Sequence, residues 1–338
     1  MSLIGQLMAV TLLVTPAAPV QSRLDAVVSE GAVGALAEVR DEHGVWRGSS
    51  GVAELGTTRK VPVDGRFRVG SVTKAFVATV VLQLVAEGRL RLDDPVDTVP
   101  NGATIRDLLG HTSGLYDYFH TLPMPPEQEF LDNRWRTWTA GELIARAMTH
   151  PAGEPGGAFS YSNTNYLLLG QIIEKVTGRS YGAEIERRII SPLRLRGTSV
   201  PGTSPRIPGP HPHGYVPTLD GLLDYTRMNP SIMGASGEII STTADLNRFF
   251  RALLGGGLLP RHLLSEMKNP RGYGLGLARH ATSCGVPVYG SDGDALTYQT
   301  WSFTQEDGKR QVTVALTPNF QGDPDDAVDA LLDEVFCG

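Results

Sequence analysis

The stretch Gly70-Ser71-Val72-Thr73-Lys74-Ala75-Phe76-Val77-Ala78-Thr79-Val80-Val81-Leu82-Gln83-Leu84-Val85 decides how the rest of this chain is read. Its apolar residues fall on nearly every side of a helix, and a helix apolar all round belongs in the middle of a protein. Gly88 ends it. Ser71 therefore opens a buried helix, and Lys74, three residues on, projects from the same side. A serine hydroxyl is a poor nucleophile near neutral pH. An amine held close and desolvated can be neutral enough to take its proton. The Ser71 amide, at the helix start, has no intrahelical acceptor and can bind a developing oxyanion. The pattern alone means little, since Ser265-Glu266-Met267-Lys268 fits it too. A capping serine with a solvated lysine is the bland alternative, and the apolar helix makes a solvated lysine less natural.

Outward from this helix, 22–30 reads as a short helix, and 35–40 with 45–50 as a β-hairpin around Asp41-Glu42-His43-Gly44. A short strand at 66–69 follows. From 90 to about 231 the chain reads as helical segments and loops with proline clusters, including helices at 166–177 and 181–190. A helix at 243–254 is capped by Thr242 or Thr243. Strands at 298–304 and 311–317 flank Glu306-Asp307-Gly308-Lys309. A last helix starts in the acidic 323–326 stretch, which suits its positive dipole end. Strands first, helices in the middle, strands and a helix last give an α+β class: an antiparallel sheet flanked by helices, with a helical lobe inserted. The expected division is a leader at 1–20, a sheet lobe from 21–88 and 236–338, a helical lobe at 89–235, and a cleft between the lobes.

Two further segments carry chemistry. Tyr161-Ser162-Asn163 follows a Gly/Pro loop and precedes a helix. A tyrosine beside a lysine can have a lowered pKa and carry a proton to a leaving group. Asn163 can hold Lys74 and a substrate amide. Ser291-Asp292-Gly293-Asp294 sits where a sheet edge could line the cleft. Gly293 lets a substrate backbone approach, and the Asp294 amide is a second candidate oxyanion donor. Taken singly, these segments read more readily as a capped loop and a polar turn.

Taken in order, the anchors resemble the serine β-lactamase and D-alanyl-D-alanine peptidase superfamily. The resemblance is to its class C-like branch of carboxypeptidases, D-aminopeptidases and esterases. Supporting text includes 68–76 around the nucleophile, Leu108-Leu109-Gly110-His111-Thr112-Ser113-Gly114-Leu115 and Phe159-Ser160-Tyr161-Ser162-Asn163. The stretch 237–246 and the strand-like Tyr273-Gly274-Leu275-Gly276 add to it. The resemblance covers roughly 24–336. It implies a β-lactamase/DD-peptidase fold without metal or cofactor. It also implies acyl transfer in which Ser71 attacks, Lys74 and Tyr161 move the proton, and the amides of Ser71 and Asp294 hold the oxyanion. Which of Lys74 and Tyr161 is the base stays open. His111 reads as a structural turn residue.

The third anchor departs from the family. Where Lys-Thr-Gly or His-x-Gly usually meets a substrate carboxylate, this chain has Ser291 with Asp292 and Asp294. Residues two apart on a strand share a face. Two carboxylates there repel a third a few Å away by about 1–4 kcal/mol per pair. Arg279 could compensate. The expected function is a serine hydrolase acting on a peptide, amide or ester, DD-carboxypeptidase-like but suited to a cationic, esterified or amidated substrate. An acyl transferase with an amine acceptor and a non-catalytic penicillin-sensing relative are the alternatives.

Composition bounds the rest. The 338 residues, 41% hydrophobic and 20% charged, describe an ordinary globular protein. A net charge of −6 argues against a nucleic-acid partner, and Arg187, Arg188, Arg194 and Arg196 read as a solvated helix face. His211-Pro212-His213 lacks a convincing third metal ligand. The apolar 3–14 run followed by Thr15-Pro16-Ala17-Ala18-Pro19 resembles a secretory leader, so a secreted monomer with no membrane span is expected, or a cytoplasmic one if the leader is not a signal. Cys284 and Cys337 are either one disulfide or two buried thiols.

Overall fold

The computed structural model describes residues 17–269 and 272–338. Its strands are β1 (Ala32–Asp41), β2 (Gly44–Gly51), β3 (Phe67–Arg68), β4 (Tyr215–Thr218), β5 (Gly221–Asp224), β6 (Ile240–Ser241), β7 (Ala278–Ala281), β8 (Pro287–Asp294), β9 (Gln299–Gln305) and β10 (Gln311–Pro318). Its helices are α1 (Ala17–Gly31), α2 (Thr73–Ala86), α3 (Ile105–Gly110), α4 (Gln128–Asp132), α5 (Ala140–Ala147), α6 (Asn163–Thr177), α7 (Tyr181–Ile185), α8 (Ser191–Leu193), α9 (Thr243–Leu254), α10 (Arg261–Met267) and α11 (Asp325–Cys337).

Six strands form one antiparallel sheet in the order β2-β1-β10-β9-β8-β7. Side chains alternate across it as a pleat requires. Ala35, Ala37, Val39, Val312, Val314 and Leu316 pack with Val20, Leu24, Val328 and Leu331 of α1 and α11. On the opposite face, buried Glu38 and Thr313 bond Asn247 of α9. Phe76 of α2 stacks on Phe249 of α9 at 3.8 Å between ring centroids. Eleven of the fourteen α2 residues are buried, each large apolar one contributing about 1.5–3 kcal/mol. This helix, all but unable to face water, packs against α6, α7 and α9, while α1 and α11 cover the other face of the sheet.

Most elements fall where the sequence places them, and the differences have local causes. The first helix begins at Ala17 rather than 22 because Val20 is a buried packing residue. Of the 1–20 leader, residues 1–16 lie outside the described residues. The 181–190 helix is α7 followed by a π turn over Glu186–Ile190. The 90–231 region holds a hairpin as well, β4 to β5, paired Tyr215 to Asp224. Residues 273–276 are not a strand: the Gly274 amide donates to Leu277 and the Leu275 amide to Met267, so no neighbouring strand is satisfied. Arg188 is not solvated; its side chain is 7% exposed between Glu184 and Glu87. Cys284, in the turn between β7 and β8, is disulfide-bonded to Cys337 at the end of α11. Among the described residues no helix is long and apolar enough to cross a membrane.

Candidate active site

Four chain segments converge on Lys74. The 3₁₀ turn Gly70–Val72 runs directly into α2, leaving Ser71 half-buried and Lys74 fully buried one turn later. Lys74 Nζ lies 2.9 Å from Ser71 Oγ, 2.8 Å from Asn163 Oδ1 and 2.8 Å from the Ser236 carbonyl oxygen. Two of these partners can only accept. The third, a hydroxyl, can donate. The set serves an ammonium that donates to all three and equally a neutral amine that donates to two and accepts from the Ser71 hydroxyl. Burial pushes the Lys74 amine down from 10.5 to about 7, against the opposing charges of Asp117 and Asp292.

Asn163 opens α6. Its Nδ2 donates to Asp117 Oδ2 at 2.8 Å, which leaves Oδ1 turned to the lysine. Asp117 also caps the turn at 118–121 by accepting from the Phe119 amide. Neither Asp117 nor the Ser236 carbonyl is legible from sequence as a partner of Lys74. Ser236 adjoins Gly237, the start of a recognised stretch, but a carbonyl's aim leaves no mark in residue identity.

The Tyr161 hydroxyl lies 2.7 Å from Ser71 Oγ, while its ring is 39% exposed to the cleft. Enclosure of that hydroxyl pushes the phenol well above its usual range, and neighbouring Tyr273 adds to the effect. The expected lowering beside a lysine is therefore reversed, because burial outweighs the hydrogen bond from Ser71 that favours the ionised phenol. The Tyr161 ring stacks on His111 at 4.3 Å. His111 Nδ1 accepts from the Ser162 amide at 3.1 Å, and burial lowers its pKa to about 3. With its backbone left-handed at the end of α3, His111 is a neutral prop under Tyr161.

The third anchor closes the site. β7 pairs only with 287–290 of β8, so Ser291–Asp294 present a free edge on that side. This edge crosses the 3₁₀ turn at backbone contact. A Cβ on Gly293 would lie 2.2 Å from the Val69 carbonyl oxygen and 2.7 Å from the Ser71 nitrogen; one on Gly70 would lie 2.4 Å from the Asp294 carbonyl oxygen. The Ser71 and Asp294 backbones can share one space only because both positions lack side chains. Ser291 is buried and bonds the Asp292 carbonyl. The two acidic side chains part company here. Asp294 Oδ1 accepts from the Leu296 amide at 2.6 Å, committed to its own turn. Asp292 is exposed, has no hydrogen bond or ion pair on its carboxylate among the described residues, and its charge is felt at Lys74, Tyr161 and Tyr273. Arg279, on β7, makes no ion pair with it.

The other motifs go elsewhere. Lys268 of the second Ser-x-x-Lys pairs with Glu306 at 3.0 Å. His213 bonds Asp224 and His211 the Gly209 carbonyl, and no metal-holding cluster exists among the described residues.

A family model described as Beta-lactamase matches residues 7–336. The chain belongs to the beta-lactamase family. It is 41% identical to a D-stereospecific amidohydrolase from Streptomyces sp., with a TM-score of 0.86 over 95% of this chain and 98% of that one. A D-amino acid amidase from Ochrobactrum anthropi SV3, solved with L-phenylalanine amide, shares 27% identity and a TM-score of 0.81 over 94% and 97%. Penicillin-binding protein 4 of Amycolatopsis lactamdurans is 33% identical over 71% of this chain, which spans only 64% of that relative's length. This member of the beta-lactamase family thus has solved neighbours described as an amidohydrolase and an amidase.

Proposed function

We propose that the chain hydrolyses amides through an acyl-enzyme on Ser71, and that its substrates are D-amino-acid amides or short peptides with a free ammonium and no carboxylate beside the scissile bond. The observation that carries this reading is a buried Lys74 amine 2.9 Å from the Ser71 hydroxyl, an amine that burial lowers to about 7. Ser71 Oγ bonds to the substrate carbonyl carbon as its proton passes to Lys74. The oxyanion lies between the amides of Ser71 and Asp294. Collapse breaks the C–N bond, and the departing amine takes a proton relayed from Lys74 through the Tyr161 hydroxyl. Water then cleaves the ester, giving its proton back through the same pair and restoring Ser71. A phenol pushed up stays protonated, which favours Lys74 as base and Tyr161 as donor.

Asp292 supports the substrate class. At about 4 Å its carboxylate disfavours a substrate carboxylate, and favours an ammonium, by about 1–4 kcal/mol. The same charge would welcome an amine acceptor, so acyl transfer is the second reading, separated by product partitioning between water and added amine. Intact-mass measurement over a D-amino-acid amide, a D-Ala-D-Ala mimic, a penicillin and simple esters tests the assignment. Adducts are expected on the native chain and none on Ser71→Ala; an adduct persisting on that variant refutes it. Asp292→Thr is expected to raise kcat/KM for a carboxylate-bearing substrate and lower it for the free-ammonium amide. No change in that ratio removes the charge argument while leaving the acyl-enzyme intact.

A further inference from the structure

Behind the segment that holds Lys74 lies a second cavity of about 250 Å³. Gly234, Ala235 and Glu238 form one wall, Glu174 of α6 another, and the rings of Trp138 and Tyr181 close it. None of Ser71, Lys74, Tyr161 or Asp292 lines it. Yet two of its walls belong to elements that place the lysine: α6 carries Asn163, and the 234–236 turn carries the Ser236 carbonyl.

Two polar atoms in these walls are buried without a partner, Glu238 Oε2 and Trp138 Nε1. The Glu238 residue is 1% exposed and Trp138 5%. Glu238 Oε1 accepts from the Tyr181 hydroxyl, and the nearby Gly202 amide favours the ionised carboxyl without meeting it in a hydrogen bond. Burial still pushes that carboxyl up to about 7, although the Arg68 guanidinium opposes the rise. Arg68 makes no ion pair with it: its Nη2 donates to the carbonyls of Pro205, Thr226 and Met228, and its Nε and Nη1 have no hydrogen-bond partner among the described residues. A buried carboxylate oxygen left unpaired is costly. No lysine or arginine lines the cavity to relieve it. Arg136 sits over the Trp138 ring at 3.7 Å from its centroid, so among the described residues Tyr181 is the lining ring with no cation over it, and aromatic faces attract cations.

We propose that this cavity binds a small organic ammonium, whose N–H donates to Glu238 Oε2 and whose apolar body lies against Trp138 and Tyr181. The site is separate from the catalytic cleft, and its occupant would touch both elements that hold Lys74.

Calorimetric titration of the full chain with benzylamine tests this, with benzyl alcohol as the uncharged counterpart. Saturable binding of one benzylamine per chain is expected, and benzyl alcohol should bind at least about tenfold more weakly, the size of one charged hydrogen bond. Glu238→Gln should weaken benzylamine by a similar factor, and Asp292→Asn should leave it unchanged. Absence of saturable binding, which would mean that water alone fills the cavity, overturns the proposal. So does equal binding of the alcohol, or a loss that follows Asp292→Asn instead of Glu238→Gln. Should Glu238→Gln fail to fold, Thr203→Trp at the exposed rim must abolish binding, and retained binding is equally fatal.

Discussion

Of the five lysines in the chain, only Lys74 is buried, and its surroundings decide when it is charged. With the amine lowered to about 7, kcat/KM is expected to rise with pH through an acid limb near that value, as the lysine loses its proton. A limb near 10 would contradict the neutral-base reading. Stability carries the same signature. Between pH 7 and 10.5 the unfolded chain binds the proton that the folded one has released, so stability rises with pH across that window. Below 7 both states are charged, and the burial penalty is felt in full. Lys74→Met should therefore raise the urea midpoint at pH 6, flatten the slope, and lower kcat by about 10²–10⁴. Asp117 supplies charge that favours the ammonium. Asp117→Asn should move the acid limb to lower pH, and an unmoved or raised limb would show that its role is only to orient Asn163. Ser71, Lys74, Tyr161 and Asn163 were legible as residues. Asp117 was not, because a carboxylate's partner 46 positions away is set by the fold.

At the level of elements, the β8 edge and the 3₁₀ turn before α2 form one joint. Their contact runs through backbone atoms, which cannot rotate away as a side chain can. Gly293→Ala places a Cβ 2.2 Å from a carbonyl oxygen and 2.7 Å from the Ser71 nitrogen, so the strand must move. A shift of about 1 Å costs about a hundredfold. Acylation by a fluorophosphonate probe is expected to slow by that order, with little change in helix content. Unchanged acylation would separate Gly293 from the oxyanion site. The glycine was visible in the sequence as a position for close approach, but what approaches it is also the nucleophile's own turn. Sequence likewise put two carboxylates on one face of β8. The structure turns Asp294 back to the Leu296 amide, because a loop amide without a strand partner competes for that carboxylate.

Over the whole molecule, the Cys284–Cys337 bond links the outer end of the sheet to α11 across 53 residues of sequence. A loop of that size constrains the unfolded chain by about 4 kcal/mol in the chain-entropy view. Replacing both cysteines by serine should lower unfolding free energy by about 2–4 kcal/mol in urea titrations while leaving the catalytic cleft, at the opposite end of β8 from Cys284, active. Equal stability would mean that the reduced chain is already held there by packing. Residue order alone determined that α2 is central, that strands flank a helical middle, and which hydroxyl and amine lie one turn apart. These are local matters of periodicity and spacing. Only the tertiary structure decided that Lys74 is dry, that Tyr161 stays protonated, that Asp294 is bonded to its own turn while Asp292 is not, and that the cysteines pair. Each depends on how far water is excluded and on which distant atoms meet, and neither quantity is carried by neighbouring residues in the chain.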